Sequence, residues 1–522
     1  MKVLLLLLLA SLCLCDKSRL WPTPQKALYG SDRFLLARTF SFNSDKPSTF
    51  MSNAFSRYHD LIRDSTLDIS SSTTALKTIS AVQFHITDYS ITLNDSTDES
   101  YTLSISSSGI ASVTSQTVFG ALHALETFSQ LIEEDPNGQW IIRDCPLEIS
   151  DFPRYAYRGL LIDTSRHFLP VSIIKRLIDG LSFAKMNVLH WHLADAQSFS
   201  FKSINFPQLS ELGAYRPDLV YDHNTIRDVV SYALERGVRV VPELDIPGHA
   251  YWRNAMPEIL AKCPERFSKN INNYPLDPSN EFTFEVLEKL FTEFAQVFPD
   301  YMVHLGGDEV VQSCWKEDPK VAKWMKSKGY TTGNEIYTYF FNRTLPVISK
   351  LNKRAVVWHE AVFNNKVLPR DTLVHVWSGD ENVEKVVNLG FDIVASTGFY
   401  LDKQSPNGVV HYAWMQTFPD FFLKEHTKLL PAHLHSKIKG LVAAQWGEHV
   451  DVYNIEEFVW PRTFGVADRA WIKLGENVDV AWETRRAEKL RCRFNGRGIM
   501  ASALVPGMKN TVEGHCRFAD LE

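Results

Sequence analysis

Gly159-Leu160-Leu161-Ile162-Asp163, then Ile174, Leu177, Ile178 and Leu181 at helical spacing, then Asn187-Val188-Leu189-His190-Trp191-His192-Leu193: this run decides the fold. A short apolar strand, an amphipathic helix and a second apolar strand form a unit whose strands lie parallel. Parallel neighbours need a long crossover, whereas antiparallel ones need only a tight turn. The rhythm repeats downstream. Further strands are expected at Val238–Leu244, Tyr301–Leu305, Ala355–His359, Thr372–Trp377, Asp392–Ser396 and Gly440–Gln445. Strand-then-helix units in this number predict a (β/α)₈ TIM barrel. A doubly wound open sheet would share the rhythm, but no Gly-x-Gly-x-x-Gly turn follows any strand, which weakens the dinucleotide-binding alternative.

Upstream of the barrel the period changes to two. Ala81-Val82-Gln83-Phe84-His85-Ile86 and Tyr101-Thr102-Leu103-Ser104-Ile105 alternate apolar with polar residues, the pattern of half-buried strands. One helix stands out, with Val118, Ala121, Leu122, Leu125, Phe128 and Ile132 on one face. These features predict a small α+β domain over residues 16–150 and a barrel over 151–522, with the boundary at Asp151-Phe152-Pro153. Ser70-Ser71-Ser72-Thr73-Thr74 reads as a loop.

Residues 1–15 read as a secretory signal peptide: Lys2, then the leucines Leu4 to Leu9, then small residues and Cys13 and Cys15. The apolar run is too short to cross a bilayer, and no later segment replaces it. A lysosomal or extracellular destination follows, in an oxidising compartment. Removal of two of the seven cysteines leaves five: Cys145, Cys263, Cys314, Cys492 and Cys516. Sequence neighbours are the simplest partners, giving Cys263–Cys314 and Cys492–Cys516 with Cys145 free; buried free thiols are the alternative. Asn94-Asp95-Ser96 and Asn342-Arg343-Thr344 fit the N-glycosylation pattern.

Composition narrows the class. The chain has 522 residues, 45% apolar and 22% charged, and 55 basic against 61 acidic side chains leave a net charge of −6. That is ordinary globular composition, without the basic footprint of a nucleic-acid binder or a membrane-surface protein.

A barrel carries its chemistry where its strands end. Read in order, those ends are Arg158 and Asp163 with Arg166-His167 just beyond; His190-Trp191-His192 and Asp195; Glu243-Leu244-Asp245 running to Pro247-Gly248-His249; His304-Leu305-Gly306-Gly307-Asp308-Glu309; Trp358-His359-Glu360; Trp377; Phe399-Tyr400; and Trp446-Gly447-Glu448. Carboxylates, imidazoles and indoles meet at one rim. Indole faces cover the apolar face of a pyranose, while carboxylates and arginine take its hydroxyls. Core packing is the bland alternative for any one of the thirteen tryptophans. Asp308-Glu309 is the sharpest feature, because two adjacent carboxylates cannot both ionise easily, and a protonated acid beside an ionised partner is what glycosidic cleavage requires. His190 and His192 share a strand face, and with His249, His304 and His375 they raise a competing metal-hydrolase reading. Strand histidines that pack or donate to backbone explain them without a metal, so neither metal nor cofactor is expected.

Several of these segments together resemble the family-20 glycoside hydrolases, the β-N-acetylhexosaminidases of lysosomal or secreted eukaryotic type. Leu20-Trp21-Pro22-Thr23-Pro24-Gln25 resembles their opening segment and Arg158-Gly159-Leu160-Leu161-Ile162-Asp163-Thr164-Ser165-Arg166-His167 their first barrel strand. His190-Trp191-His192-Leu193, Pro247-Gly248-His249, His304-Leu305-Gly306-Gly307-Asp308-Glu309 and Trp446-Gly447-Glu448 follow in the family's order. The resemblance implies exo-acting removal of terminal β-linked N-acetylhexosamine from glycans, with the substrate's own acetamide as nucleophile. It makes Glu309 the acid and base, Asp308 the partner of the acetamide, and Asp195 with His249 a relay to Glu309. It assigns Arg158, Glu448, Trp377, Trp446, Trp358 and Phe399 to the sugar, supports the same two disulfides, and implies a homodimer. Three departures stand out: Ala196 follows Asp195 where members carry a second Asp, Phe399 replaces a tryptophan, and in the register set by Trp414 a tyrosine that steadies the acetamide falls on Phe418, with Tyr412 nearby. They motivate a second hypothesis, a carbohydrate-binding protein on a weakened enzyme scaffold.

Overall fold

The computed structural model describes residues 19–504 except 65–75, 136–137, 251, 268–269, 271–273, 365–367 and 404–415. The leader, the Ser70–Thr74 tract, Tyr412, Trp414 and Cys516 therefore lie outside the described residues.

The first half-circle of chain forms a mixed sheet. Its strands are β1 (Lys26–Ser44), β2 (Thr78–Asp88), β3 (Tyr101–Ile105), β4 (Ala111–Thr117), β5 (Ile132–Glu134) and β6 (Trp140–Asp151). They lie in the order β1-β2-β4-β3-β6-β5, with β1 also pairing β6. Two helices cover it, α1 (Thr49–Asp64) and α2 (Val118–Leu131). Helix α2 is the one its periodicity foretold. It starts at Thr117, whose hydroxyl accepts from Phe119 N and Gly120 N and so satisfies two otherwise orphaned donors. Helix α1 was not foreseen. Its buried residues Met51, Ala54, Tyr58 and Ile62 keep helical spacing, but polar residues break the stripe.

Eight parallel strands then close into a barrel: β7 (Tyr157–Asp163), β8 (Val188–Ala194), β9 (Arg239–Leu244), β10 (Met302–His304), β11 (Arg354–Trp358), β12 (Leu373–Val376), β13 (Asp392–Ala395) and β14 (Ile438–Gln445). Each coincides with an expected strand to within a few residues. Closure is made by β14 against β7, with Val442 opposite Gly159. Leu161, Val188, Val241, Val356, Leu373, Val394 and Val442 fill the barrel interior. A separate apolar shell holds the outer helices to the strands; in the first of them, α3 (Val171–Phe183), Ile174, Leu177, Ile178 and Leu181 are fully buried. Burying each such side chain contributes roughly 1.5–3 kcal/mol.

The sheet domain packs under the barrel's N-terminal end, and Arg158 is central to that joint. Its Nη2 and Nη1 reach Glu99 at 2.5 and 2.9 Å, Nη1 also reaches Tyr155 O at 2.8 Å, and Nε reaches Lys185 O at 2.8 Å. His123 Nε2 meets the same Glu99 at 2.9 Å. The expectation that Arg158 binds sugar is therefore corrected. It stands at the start of β7, five residues and about 17 Å of strand from the catalytic rim, with both ends of its guanidinium already used. Trp21 clamps the joint from the side: its ring lies against Phe418, Phe422 and Phe464, and its Nε1 donates to Phe464 O at 3.1 Å.

Candidate active site

The exit of β10 sets the geometry. Gly306 and Gly307 hold φ of +66° and +104°, and Glu309 follows at +48°. At Gly306 an added Cβ would meet Asp245 Oδ1 at 1.6 Å, so only glycine lets the chain turn here. Tyr337 braces the turn by donating to Gly307 O at 2.6 Å. The bend brings both neighbouring carboxylates to the cleft, Asp308 nearly buried and Glu309 about half exposed.

Asp195 and His249, expected to act together on Glu309, lie side by side. Asp195 Oδ2 lies 3.0 Å from His249 Nδ1, and His249 Nε2 lies 3.4 Å from Glu309 and 3.7 Å from Asp308. His249 itself sits at φ +53°. Strained backbone at two consecutive members of one relay costs about 1–3 kcal/mol apiece and is typical of functional positions.

The protonation states follow from this arrangement. Burial alone would push Asp195 up, but Arg166 and His249, with a hydrogen bond from His192, hold it far below the ordinary carboxylate range. Burial would neutralise His249, but Asp195, Asp308 and Asp245 hold it well above its usual value, as a cation. The neighbouring His249 draws Glu309 down against its partial burial. Asp308 is pushed up by burial, which His249 only partly offsets. Asp245 is raised further, first by burial and then by Asp308. In the unliganded site Asp245 and Asp308 are thus the carboxyls disposed to hold a proton, and Glu309 is the one disposed to ionise.

Arg166 occupies the position expected of Arg158. It reaches Asp163 at 3.0 Å, Asp195 at 2.9 Å and Glu448 at 3.8 Å, and its Nε donates to Gln197 at 3.0 Å. Its guanidinium lies 5.1 Å from the Trp446 ring centroid. Trp446 and Trp377 stand at the rim, both partly buried against the interior. Trp358 forms the floor: it is 1% exposed and donates its Nε1 to Glu243 at 3.0 Å. Glu448 remains half exposed.

Two strand-seven expectations are corrected. Phe399 is fully buried beneath the rim, stacked on Phe421 at 5.8 Å and tilted against His426 at 5.1 Å, so it presents no face to a sugar. Phe418 does not stand in for a lost tyrosine, because it packs on Trp21 at 5.7 Å. The tyrosine in the pocket is Tyr400, whose ring lies 6.0 Å from Trp377 and whose hydroxyl meets Trp446 and feels the charges of Asp402, Asp308 and Glu360. Asp402 also joins the site, with burial and Glu448 lifting its carboxyl to about 7. Tyr400 and Arg166 were both on the rim in the sequence, and counting strand register from Asp163 and from Phe399 would have selected them. Asp402 had no signal beyond nearness to Tyr400.

Beneath the rim, Glu243 is ringed by His304, His192 and His190, which keep it ionised despite its burial. His190, His304 and His375 could offer ligand atoms within 4.8 Å of one another. Their arrangement does not suit a metal. The His190 and His304 rings stack at 4.6 Å and 25°, and His304 Nδ1 accepts Gly306 N–H at 3.0 Å. The same Nδ1 lies 3.1 Å from Glu243 Oε1, so that nitrogen is already engaged by the protein.

Cys263 and Cys314 are joined, tying the loop beyond His249 to the segment beyond Glu309, while Cys145 is free and buried. The expected Cys492–Cys516 bond involves a residue outside the described set. Asn94 is part-exposed in a turn, accepting from Ser96 N at 2.8 Å. Asn342 is exposed on the helix Gly333–Lys350, whereas Thr344 of its triplet is buried.

A partly buried carboxylate pair, an imidazolium relay and aromatic walls at the mouth of a barrel define a glycosidase. The family model of the glycosyl hydrolase family 20 catalytic domain matches residues 155–474, and a beta-acetyl hexosaminidase-like model matches 20–131. The chain belongs to glycosyl hydrolase family 20. It is 39% identical over 418 residues to beta-hexosaminidase subunit A1 of Dictyostelium discoideum, covering 80% of this chain and 77% of the relative. It is 34% identical over 516 residues to the human beta-hexosaminidase subunit beta, covering 94% and 89%. Among solved structures, the Flavobacterium johnsoniae chitobiase superposes with a TM-score of 0.80 at 32% identity, over 92% of this chain and 73% of that one. No helix among the described residues is long and apolar enough to cross a membrane.

Proposed function

We propose that this glycosidase is an exo-acting β-N-acetylhexosaminidase that removes terminal β-linked GlcNAc or GalNAc from glycans through an oxazolinium intermediate. The observation that carries the reading is the convergence of Asp308 and the Asp195–His249–Glu309 relay between Trp377 and Trp446. A solved Vibrio harveyi exo-β-N-acetylglucosaminidase, 26% identical with a TM-score of 0.79, holds N-acetylglucosamine.

The acetamide oxygen of the bound sugar attacks C1 as the bond from C1 to the departing oxygen breaks, and Glu309 gives its proton to that oxygen. The acetamide N–H donates to Asp308, which compensates the positive charge building on the new ring. That hydrogen bond favours ionised Asp308. The charge so created, together with expulsion of water from half-exposed Glu309, raises Glu309 and moves the shared proton to where cleavage needs it. Water then attacks C1, Glu309 takes its proton, and the ring opens to the free sugar with retention. Arg166, Glu448 and Asp402 hold the ring hydroxyls. Tyr400 steadies the acetamide oxygen, the part that seemed lost when Phe418 was set in its place. Secretion to a lysosomal or extracellular compartment, processing of residues 1–15, glycosylation at Asn94 and Asn342, and a homodimer belong to the same reading. So do the division of the chain at residue 150 and the second disulfide.

The test compares an aryl β-N-acetylglucosaminide with the matching aryl β-glucoside, which has a hydroxyl in place of the acetamide. Turnover at acidic pH that drops at least a thousandfold for the glucoside supports the mechanism. Equal turnover of both rejects it. Binding of N-acetylglucosamine without any turnover leaves only a carbohydrate-binding protein, and activity abolished by exhaustive EDTA dialysis would restore the metal reading.

A further inference from the structure

We propose that Glu360 is a positioning residue that clamps the Trp377 indole in place as a wall of the sugar pocket, with His359 and Asn382 as its backing. The proposal rests on the glycosidase reading and adds to it residues outside the catalytic relay. Trp377 donates its Nε1 proton to both oxygens of Glu360, at 2.9 and 3.0 Å. Glu360 opens the short helix Glu360–Asn364 directly after β11, so its backbone is tied to the barrel wall rather than to a loose loop. Behind it, Asn382 donates to His359 Nε2 at 3.2 Å and to Ser378 O at 2.8 Å. An imidazole that accepts at Nε2 carries its proton at Nδ1 when neutral, and His359 Nδ1 lies 3.3 Å from Glu360. Burial drives the His359 imidazole down to about 4, so it stays neutral through the working range. Asn382 and His359 thus stand behind Glu360, between the helix Asp380–Asn388 and the pocket, with His359 Nδ1 close to the carboxylate although not hydrogen-bonded to it.

The wall needs such a fixture. Trp377 is only partly buried, with Tyr400 at 6.0 Å and His359 at 5.9 Å as its ring neighbours. An indole free to swing would lose much of its stacking on a sugar, because each binding event would have to freeze its rotamers.

The clamp also constrains charge. Burial and the nearby Asp308 lift the Glu360 carboxyl to about 8, so it is neutral at acidic pH and ionises above that point. The groups facing it are Asp308 and Glu309 from the β10 exit, Tyr337 from the helix Gly333–Lys350, Tyr400 after β13, Trp377 after β12, and its own neighbour His359. Ionised Glu360 adds a third negative charge beside the catalytic pair. Neutral Glu360 keeps the clamp without that charge.

The experiment compares Glu360→Ala and Glu360→Gln in the full chain. Glutamine keeps an oxygen acceptor for the indole and cannot ionise; alanine keeps neither property. With an aryl N-acetylglucosaminide, Glu360→Ala should raise KM about tenfold or more with a smaller change in kcat. Glu360→Gln should restore KM at pH 5, and its activity relative to wild type should rise as pH passes 8. Independently of turnover, ¹⁹F spectra of 5-fluorotryptophan-labelled protein, with the Trp377 line assigned by Trp377→Phe, should show that line displaced or broadened in Glu360→Ala and kept in Glu360→Gln. Wild-type KM and an unmoved Trp377 line in Glu360→Ala would overturn the proposal even if the enzyme is fully active. If no N-acetylhexosaminide is turned over by wild type, the functional reading fails while the spectra still decide the clamp. A loss of KM that glutamine does not rescue, with the line unchanged, also overturns it.

Discussion

Arg158 and Arg166 are eight residues apart, both buried and both multiply paired, yet the barrel gives them opposite duties. Replacing each by methionine, which keeps the length and removes the charge, separates the two. Arg158→Met strands Glu99, which is buried at the joint between sheet domain and barrel with only His123 and Asn187 left to it. Breaking a buried pair by removing one partner costs about 3–5 kcal/mol. The variant should therefore shift the urea midpoint by that free energy while its folded fraction keeps wild-type kcat and KM. Arg166→Met removes the cation that Asp163, Asp195 and Glu448 face and the donor proposed for the sugar hydroxyls. Losing two charge-assisted hydrogen bonds to substrate at about 1.5–3 kcal/mol each lowers kcat/KM by roughly two to four orders of magnitude. The assay is kcat/KM on an aryl N-acetylglucosaminide beside a urea titration followed by circular dichroism. A hundredfold loss of kcat/KM in Arg158→Met at unchanged stability, or full activity in Arg166→Met, would refute the assignment.

Glu309→Gln should lower kcat by about 10²–10⁴ with KM little changed, and substrates with an activated leaving group should suffer less in the cleavage step, since they need less protonation. Tyr400→Phe should cost about tenfold in kcat on N-acetyl substrates, whereas Phe418→Tyr should leave kcat unchanged and lower stability by burying an unpartnered hydroxyl against Trp21; steady-state kinetics and thermal melts check both. Removing Cys263–Cys314 by a double serine substitution releases a loop of 51 residues and should cost about 4 kcal/mol of chain-entropy stabilisation, read as the difference in urea midpoints. Although burial alone would raise it, Glu99 is held down to about 2 by Arg158 and His123, so its contribution is complete above the unfolded carboxylate value near 4.5 and lost as pH falls from there through about 2. Glu99→Gln should flatten the stability-versus-pH curve across that window, and an unchanged slope would show that the pair is not linked to folding.

Much of the architecture could be read in advance because barrel strands are buried on both faces. Their apolar runs at 159–163, 187–193 and 440–445 stand out against amphipathic helices, and all eight expected strands lie in the closed sheet. Helix α1 escaped because its buried stripe is interrupted by polar residues. The residues proposed for catalysis stood out through local constellations: Gly306-Gly307-Asp308-Glu309 and Pro247-Gly248-His249 are turns that the barrel brings together at its rim. The binding residues were less so. Arg158 drew attention through its place beside Gly159, yet a residue at the start of a parallel strand faces the barrel's lower end. Phe399 and Tyr400 alternate in direction, so choosing one over the other exchanged a core position for a pocket position.

What the sequence by itself determined was the list of strands, their parallel order and the short motifs proposed to carry acid and base, because those depend on local periodicity and on residues adjacent in the chain. Which arginine stands at the rim, which tyrosine lies in the pocket, and which of Asp245, Asp308 and Glu309 is disposed to hold a proton were decided only by tertiary structure. Strand register converts a shift of a few residues into the length of the barrel, and a carboxyl's charge depends on burial and on neighbours brought from other strands: Arg166, His249 and Asp195 come from three different strand ends before they fix one another's ionisation.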